Sequence, residues 1–455
     1  MMKHVLLFLF LFYLLPTNCL AKTIYDSPKI NINRMMRNNK GDKYIVSYPH
    51  SFSDTLFIPK DCELYFNGGS LSGPIVMNNT LLTGSVNLKG STISGIVRND
   101  IFYASWLCNM DGKTDDARHV NEMIEVCGCV YFPRGCYRLI SHYYAGDNLI
   151  SKLHSAVQSH IGIYKSGVSL IGETGTEFLT EEPLVTICVY SRPNMIEKSI
   201  RNILIKEITF TVKNDGKSFH EFMHTIKLIG VNNITIKDCT FNDFWGDAIC
   251  LSHYGDNKST GERTRNQNVN IINNTIIGGE SHNNRNGISV VNGKNVLIKD
   301  NIIKNTSRRD MPGGIDIEPN NSAYTINNIK IENNTIANVK GAVGAIGLAL
   351  LRGGASAYRI TIRNNKISNC SWGIKIVIKT KGTSDGLEIT DNVIDANTRP
   401  FRFGGGGSSR NWKVKNNIIL KPAAQKIPGD IKVDNLKFGD NKDIKNYYHQ
   451  NNILK

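Results

Sequence analysis

One short motif recurs through the C-terminal half of this 455-residue chain and restricts its fold more than any other feature. An alternating apolar strand runs into a polar pair and then into another strand. The instances are ITIKDCTF (234–241), VNIINNTI (269–276), VLIKDNII (296–303), IKIENNTI (329–336), ITIRNNKI (360–367), LEITDNVI (387–394) and WKVKNNII (412–419), with a degenerate copy, ILIKEITF, at 203–210. The equivalent positions are Ile208, Cys239, Asn274, Asn301, Asn334, Asn365, Asn392 and Asn417, spaced by 31, 35, 27, 33, 31, 27 and 25 residues. A period of this length marks a repeat architecture. The alternation is that of strands, and no unit holds the helical pattern that a β-α-β crossover needs. One such unit cannot bury its apolar face alone, so the coils must stack on a shared core. The sequence therefore predicts an all-β chain wound as a parallel β-helix. The aligned Asn side chains are expected to stack at one corner, about 4.8 Å apart from coil to coil, where Asn also tolerates left-handed backbone.

A further strand follows each Asn turn: GDAICLS (246–252), NGISVVN (286–292), GGIDIEP (313–319), GAIGLAL (344–350) and WGIKIVI (372–378). Aligned on the first Ile, the inward positions are Ile249, Ile288, Ile315, Ile346 and Ile374. The next position reads Cys250, Ser289, Asp316, Gly347 and Lys375, and two further on the residues are Ser252, Val291, Glu318, Ala349 and Val377. A face whose polar groups change from coil to coil is what a binding face requires.

The N-terminus reads as an address. Lys3 and His4 precede an apolar run from Val5 to Leu15, and Cys19-Leu20-Ala21 offers a cleavage site before Lys22. Residues 1–21 are thus expected to be a secretory signal, too short to span a membrane, which makes the protein secreted, periplasmic or cell-surface. Lipid attachment at Cys19 is the weaker alternative. Cleavage removes one positive charge, Lys3, taking the net charge from +15 to +14. A basic exported protein favours acidic partners, although lysines at alternating strand positions (Lys237, Lys330, Lys375) also read as guards against edge-to-edge aggregation. No nucleic-acid-binding motif or basic helix occurs, so nucleic acid is discounted; the oligomeric state is left open. Cys127, Cys129 and Cys136 can hold one disulfide, and their spacing is a poor metal signal. Cys239 and Cys250 read as packed thiols.

Residues 22–105 read as a region of short β coils, 106–423 as the main β-helix and 424–455 as a tail or cap. In DGKTDDARHVNEMIEVCGCVYFPRGCYRL (111–139), Thr114 or Asp115 can cap a helix with Val120, Met123, Ile124 and Cys127 at helical spacing. That helix is expected to cover the open end of the solenoid. Residues 143–166 and 252–267 lack periodicity and read as loops.

Asp111-Gly112-Lys113-Thr114-Asp115-Asp116, the helix and VYFPRGCY (130–137), taken with the β coils, resemble the entry segment of the pectate-lyase-like superfamily of right-handed β-helices, which includes polygalacturonases and phage tailspikes. FNGGSLSG (66–73) resembles β-helix proteins exported by gut Bacteroidetes. The resemblance spans most of residues 60–420 and implies a fold rather than a substrate. Polygalacturonases carry N-T-D-G, G-D-D-C-I-A-I, G-H-G-x-S-I-G and R-I-K on four successive coils. The second is similar to Trp245–Leu251, which keeps one family aspartate position at Asp247. The third is similar to Arg285–Val291, with Asn286 at the family's histidine position. The fourth falls on Gly314–Glu318, with Asp316 and Glu318 where the family has the Arg and Lys that hold a galacturonate carboxylate. The first falls on Met223-His224-Thr225-Ile226, which has no aspartate. The charge reversal argues against galacturonate in that subsite.

Asp247, Arg285, Asp316 and Glu318 remain together on three successive coils. Residues two coils apart lie roughly 9–10 Å apart at the backbone, near the roughly 6.5–9.5 Å that separates the carboxylates of inverting glycosidases. Asp316 and Glu318 should repel, raising one pKa, with Arg285 holding the other ionised. The expected catalytic residues are Asp247, Asp316 and Glu318. The expected substrate contacts are Arg285, Asn286, His253, Trp245, Ser289, Arg308 and Arg309, with Asp310 beside them. This reading makes the protein a polysaccharide-degrading glycoside hydrolase without a cofactor. The alternatives are a polysaccharide lyase acting on a uronate glycan, for which Ca²⁺ is possible, and a non-catalytic carbohydrate-binding or adhesin-like solenoid in which exposed Trp245 and Trp372 stack on sugars.

Overall fold

The computed structural model describes residues 21–36, 40–143, 158–191, 199–253, 261–262, 264–279, 284–304, 313–320, 322–351, 354–405 and 407–420, and short strands beyond 430. Residues 1–20 of the expected signal segment 1–21, and Arg308, Arg309 and Asp310, lie outside these residues. The chain divides into two compact units, one ending at Asn99 and one beginning at Asp100.

The first unit is built of short parallel strands. Thr23–Tyr25, Lys43–Val46, Glu63–Phe66 and Pro74–Gly84 stack in register, which brings Tyr44, Leu64 and Leu82 into one buried column.

The second unit is a right-handed parallel β-helix, with three strands to a coil in its regular part. One coil consists of Gly293–Lys299, Ile302–Lys304 and Gly313–Ile317, and the next of Thr325–Glu332, Thr335–Ala337 and Gly344–Leu350, each strand paired in parallel with its successor. Isoleucines stack in every core column, as in Ile298, Ile331, Ile362 and Ile389 or Ile315, Ile346 and Ile374, all buried. β-branched side chains fit such a pleated, doubly crowded surface.

The polar pair divides two tasks between its members. The first residue takes the left-handed turn: Asn273, Asp300, Asn333, Asn364, Asp391 and Asn416 have φ between 54° and 59°. The second forms a buried amide ladder. Asn274 Nδ2 donates to Asn301 Oδ1 (3.0 Å), Asn301 to Asn334 (3.0 Å), Asn334 to Asn365 (3.0 Å), Asn365 to Asn392 (2.9 Å) and Asn392 to Asn417 (2.9 Å). Each Oδ1 also accepts the backbone N–H of the previous rung, and each Nδ2 also donates to a carbonyl of the coil before. Every donor and acceptor of the buried turn thus has a partner, as burial demands.

Helix Ala117–Val126 packs Ala117, Val120, Met123, Ile124 and Val126 against strands Ser159–Ile163 and Cys129–Phe132. Asn121 on the same face donates to the Ala117 and His160 carbonyls and accepts from Gly162 N–H. The N-cap is Asp116, not Thr114 or Asp115: Asp116 accepts from the amides of Asn109 and Met110, and Asp115 reaches Ala117 N–H and the turn at Ile140 and Ser141.

Three further expectations are corrected. Residues 159–163, expected as loop, form a fully buried strand, and Asn266–Ile272 begins inside the expected loop 252–267; residues 144–157, 254–260 and 263 lie outside the described residues. The tail continues the solenoid, since Ile444–Lys445, Tyr448–Gln450 and Ile453–Leu454 pair in parallel with Ser408–Arg410, Lys413–Lys415 and Ile418–Leu420. Cys127, Cys129 and Cys136 form no disulfide, and all nine described cysteines are free thiols; Cys129 and Cys136 lie on strands of different sheets. Among the described residues no helix is long and apolar enough to cross a membrane.

Candidate active site

Strand register aligns the position after each inward residue into one column: Cys188, Lys227, Cys250, Ser289, Asp316, Gly347, Lys375 and Arg402. Two residues before the inward isoleucines the coils carry His224, Asp247, Asn286 and Gly313. The site is built from these two columns and from Glu318, the next outward residue after Asp316.

Asp247 sits at the N-terminal side of the site and is only 1% exposed. Its Oδ1 accepts from Asn286 N–H (3.0 Å) and lies 4.0 Å from Arg285 Nε. Arg285 in turn donates through Nη1 to Glu221 Oε1 at 3.0 Å. Burial raises the Asp247 carboxyl above the ordinary range, against the pull of Arg285. His224 Nδ1 accepts the Asp247 backbone N–H at 3.0 Å. Burial, with Lys227 and Arg285 nearby, holds the His224 imidazole neutral, so its 3.3 Å approach to Asp247 Oδ2 is not an ion pair. His224, Asp247 and Cys250 place potential ligand atoms within 4.8 Å of one another. This set does not suit Ca²⁺: two donors are nitrogen and sulfur rather than oxygen, the Cys250 thiol is pushed up by burial, and two cations stand beside it.

Asp316 is 2% exposed but opens on free volume. Its Oδ2 accepts from Asn286 Nδ2 at 3.2 Å, and Asn286 also donates to Ser289 Oγ (3.1 Å) while its Oδ1 accepts from Gly313 N–H (2.5 Å). Asp316 Oδ1 has no hydrogen-bond partner. The next residue of the column is Gly347, where a Cβ would stand 2.5 Å from Val343 Cγ1 and 3.2 Å from Asp316 Oδ1. Beside it lies a cavity of about 340 Å³ lined by Asp316, Glu318, Val343, Gly347, Leu348, Lys375 and Arg402, among others. Burial is the first cause, and the neighbouring Glu318 charge the second, that lifts the Asp316 carboxyl well above the ordinary range; Arg285 opposes both.

The far end of the cavity is basic. Lys375 Nζ donates to the Ala342 carbonyl at 2.6 Å and lies 5.6 Å from the Trp372 ring centre, and Arg402 Cζ lies 5.0 Å from the same ring. Burial and Arg402 pull the Lys375 pKa down. Lys375 is therefore not a solvent-facing edge guard.

Asp247, Arg285, Asn286, Ser289, Asp316 and Glu318 are brought together. Two expected contacts are not. Trp245 is 4% exposed, with its indole packed edge-on to His220 at 5.1 Å, so it offers no face to a sugar. His253 stacks on Tyr324 at 4.2 Å and does not line the cavity. Sequence reasoning missed His224, Lys227 and Arg402. The first two stand in columns already aligned. The coil RPFRFG (399–404) went unaligned because Phe401 replaces the inward Ile.

Residues 187–427 match the family model described as right handed beta helix region. No curated protein matches the chain. Among solved structures it is similar to PfbA, a surface adhesin of Streptococcus pneumoniae (14% identity, 78% of this chain and 92% of that one, TM-score 0.45). It is also similar to a Yersinia enterocolitica family 28 exopolygalacturonase (14% identity, 72% of each chain, TM-score 0.46). A third is the alginate lyase AlyF-OU02, solved in complex with G6 (15% identity, 86% of this chain and 85% of that one, TM-score 0.37). The likeness is one of fold, which glycoside hydrolases, lyases and adhesins share.

Proposed function

From the premise that this chain belongs to the right-handed β-helix family, we propose that it is an exported enzyme that cleaves polysaccharide by hydrolysis, with Asp316 and Glu318 as its carboxylate pair. One observation carries the reading: a buried carboxyl with an unpartnered oxygen opens on a cavity beside a second carboxyl. An acid must hold its proton at working pH to protonate a leaving oxygen, and the raised pKa of Asp316 suits that role. Glu318 stands two residues along the strand, about 6.6–7 Å away at the backbone; an inverting pair needs its carboxyl groups about 6.5–9.5 Å apart to admit a water. Asp316 gives its proton to the glycosidic oxygen as the bond to the anomeric carbon breaks. Glu318 takes a proton from the water that attacks that carbon. Asn286 fixes the Asp316 carboxyl through Oδ2, while Oδ1 has no hydrogen bond among the described residues. Asp247 and Arg285 are closed off from the cavity and set its electrostatics. Residues 1–21 serve as the export signal in this reading.

A lyase is the second reading, favoured by Lys375, whose depressed pKa in the same cavity suits a base that removes a proton beside a uronate carboxylate. The purified mature chain, incubated with neutral and acidic glycans, separates the two. New reducing ends without absorbance near 235 nm, abolished by D316N and E318Q, support hydrolysis. Absorbance of an unsaturated uronate appearing with the reducing ends overturns hydrolysis in favour of elimination. Glycan binding without turnover overturns both and leaves a binding solenoid.

A further inference from the structure

The basic end of the cavity has no role in the chemistry of the acid pair. Lys375 and Arg402 occupy the same column on adjacent coils, about 4.8 Å apart at the backbone. Like charges at that separation repel, and neither forms an ion pair with a carboxylate among the described residues; their recorded partners are the Ala342 carbonyl and the Trp372 ring. The arrangement is nevertheless well held. Lys375 is tied by its 2.6 Å bond, and the indole underlies both cations. Gly347 puts no side chain between them and Asp316, which stands two coils away from Lys375, so one cavity joins acid and base.

We infer that Lys375 and Arg402, carried on Trp372, form an anion-binding subsite that selects a glycan bearing a negatively charged sugar, a uronate carboxylate or a sulfate ester, next to the point of cleavage. Among the described residues neither cation is ion-paired with a carboxylate, and both line a cavity, which is the state expected of a site completed by its ligand. The subsite lies one and two coils beyond Gly347, on the C-terminal side of the Asp316 coil. The negative charge of the substrate is thereby kept away from Glu318, which would repel it. The inference rests on the glycan-cleaving reading for its ligand class, but it concerns binding and stands without turnover.

The test is calorimetric binding of the full mature chain carrying D316N, which removes turnover, to three hexasaccharide probes: an oligouronate, a sulfated galactan fragment and its uncharged counterpart. The subsite predicts at least tenfold tighter binding of one charged probe than of the neutral one, and the probe that binds shows whether carboxylate or sulfate is read. Adding K375Q and R402Q should abolish that preference, while K375R with R402K should retain most of it. Equal affinity for charged and neutral probes, no binding of either charged probe, or an undiminished preference in the K375Q/R402Q protein would each overturn the inference. Failure of hydrolysis in the turnover assay would leave this result untouched, so the two readings fall separately.

Discussion

At the scale of single residues, Asp316 shows how the fold prepares a reactive group at the expense of stability. A carboxyl in an apolar strand surface, with Glu318 two residues on, is poorer at losing its proton than the same group in the unfolded chain. Its folded pKa is raised, so the folded state binds the proton more tightly. The associated stability is fully present below the ordinary carboxylate pKa and is lost as pH rises through the raised value. D316N keeps the oxygen that accepts from Asn286 Nδ2 and does not titrate. It should therefore abolish turnover, by at least about 10²-fold for loss of a general acid. It should also melt higher than the wild type at pH 8, with the gap closing as the pH is lowered to the ordinary carboxylate range. Calorimetric melts at several pH values check this, and a gap that does not change with pH would show that the ionisation of Asp316 is not the cause.

At the scale of the element, the turn Asn333-Asn334 separates two physical requirements that the sequence writes as one dipeptide. Asn333 has φ of 59°, so N333A meets only the left-handed backbone cost of about 1–2 kcal/mol, and N333G should be close to neutral. N334A is different. It leaves Asn301 N–H and Nδ2 without their acceptor and the Ile298 carbonyl without its donor, all in a dry corner. At about 1–3 kcal/mol for each buried group left unpaired, the loss should reach several kcal/mol. Urea unfolding should rank the variants N333G, N333A, N334A from mildest to worst; equal costs at 333 and 334 would mean the ladder is not what holds the corner.

The same element shows what could be read from residues alone. The rungs Asn274 to Asn417 and the inward column from Ile249 to Ile374 were legible because the motif repeats around each pair, and register in a sheet with one buried face carries a one-residue precision. The tail strands went unread although the sequence repeats the polar pair at Asn451-Asn452, because the stretch before it, YYHQ (447–450), lacks the aliphatic alternation that marks the other copies. Asp316 was legible as an outlier in its column. The cavity beside it was not, because its walls come from successive coils and from the 342–343 turn, a matter of packing between coils. Trp245 was misread as exposed because a motif position gives the residue but not the neighbour that covers it.

At the scale of the whole molecule, the net charge of +15 attracts anionic polymers regardless of any subsite. The two effects differ in range. The summed field of dispersed surface lysines is screened as the Debye length falls from about 8 Å at physiological ionic strength toward about 3 Å at 1 M. Contacts made by half-buried Lys375 are screened less than those of the exposed surface lysines. Affinity of the D316N protein for an anionic glycan should therefore fall steeply between 0.05 and 0.5 M NaCl, through loss of the general field. The ratio of that affinity to the affinity of the K375Q/R402Q form should persist across the same range. If the ratio instead collapses to one as salt rises, Lys375 and Arg402 act only as two more members of the basic surface, and selectivity for the charged sugar has to be sought elsewhere along the solenoid.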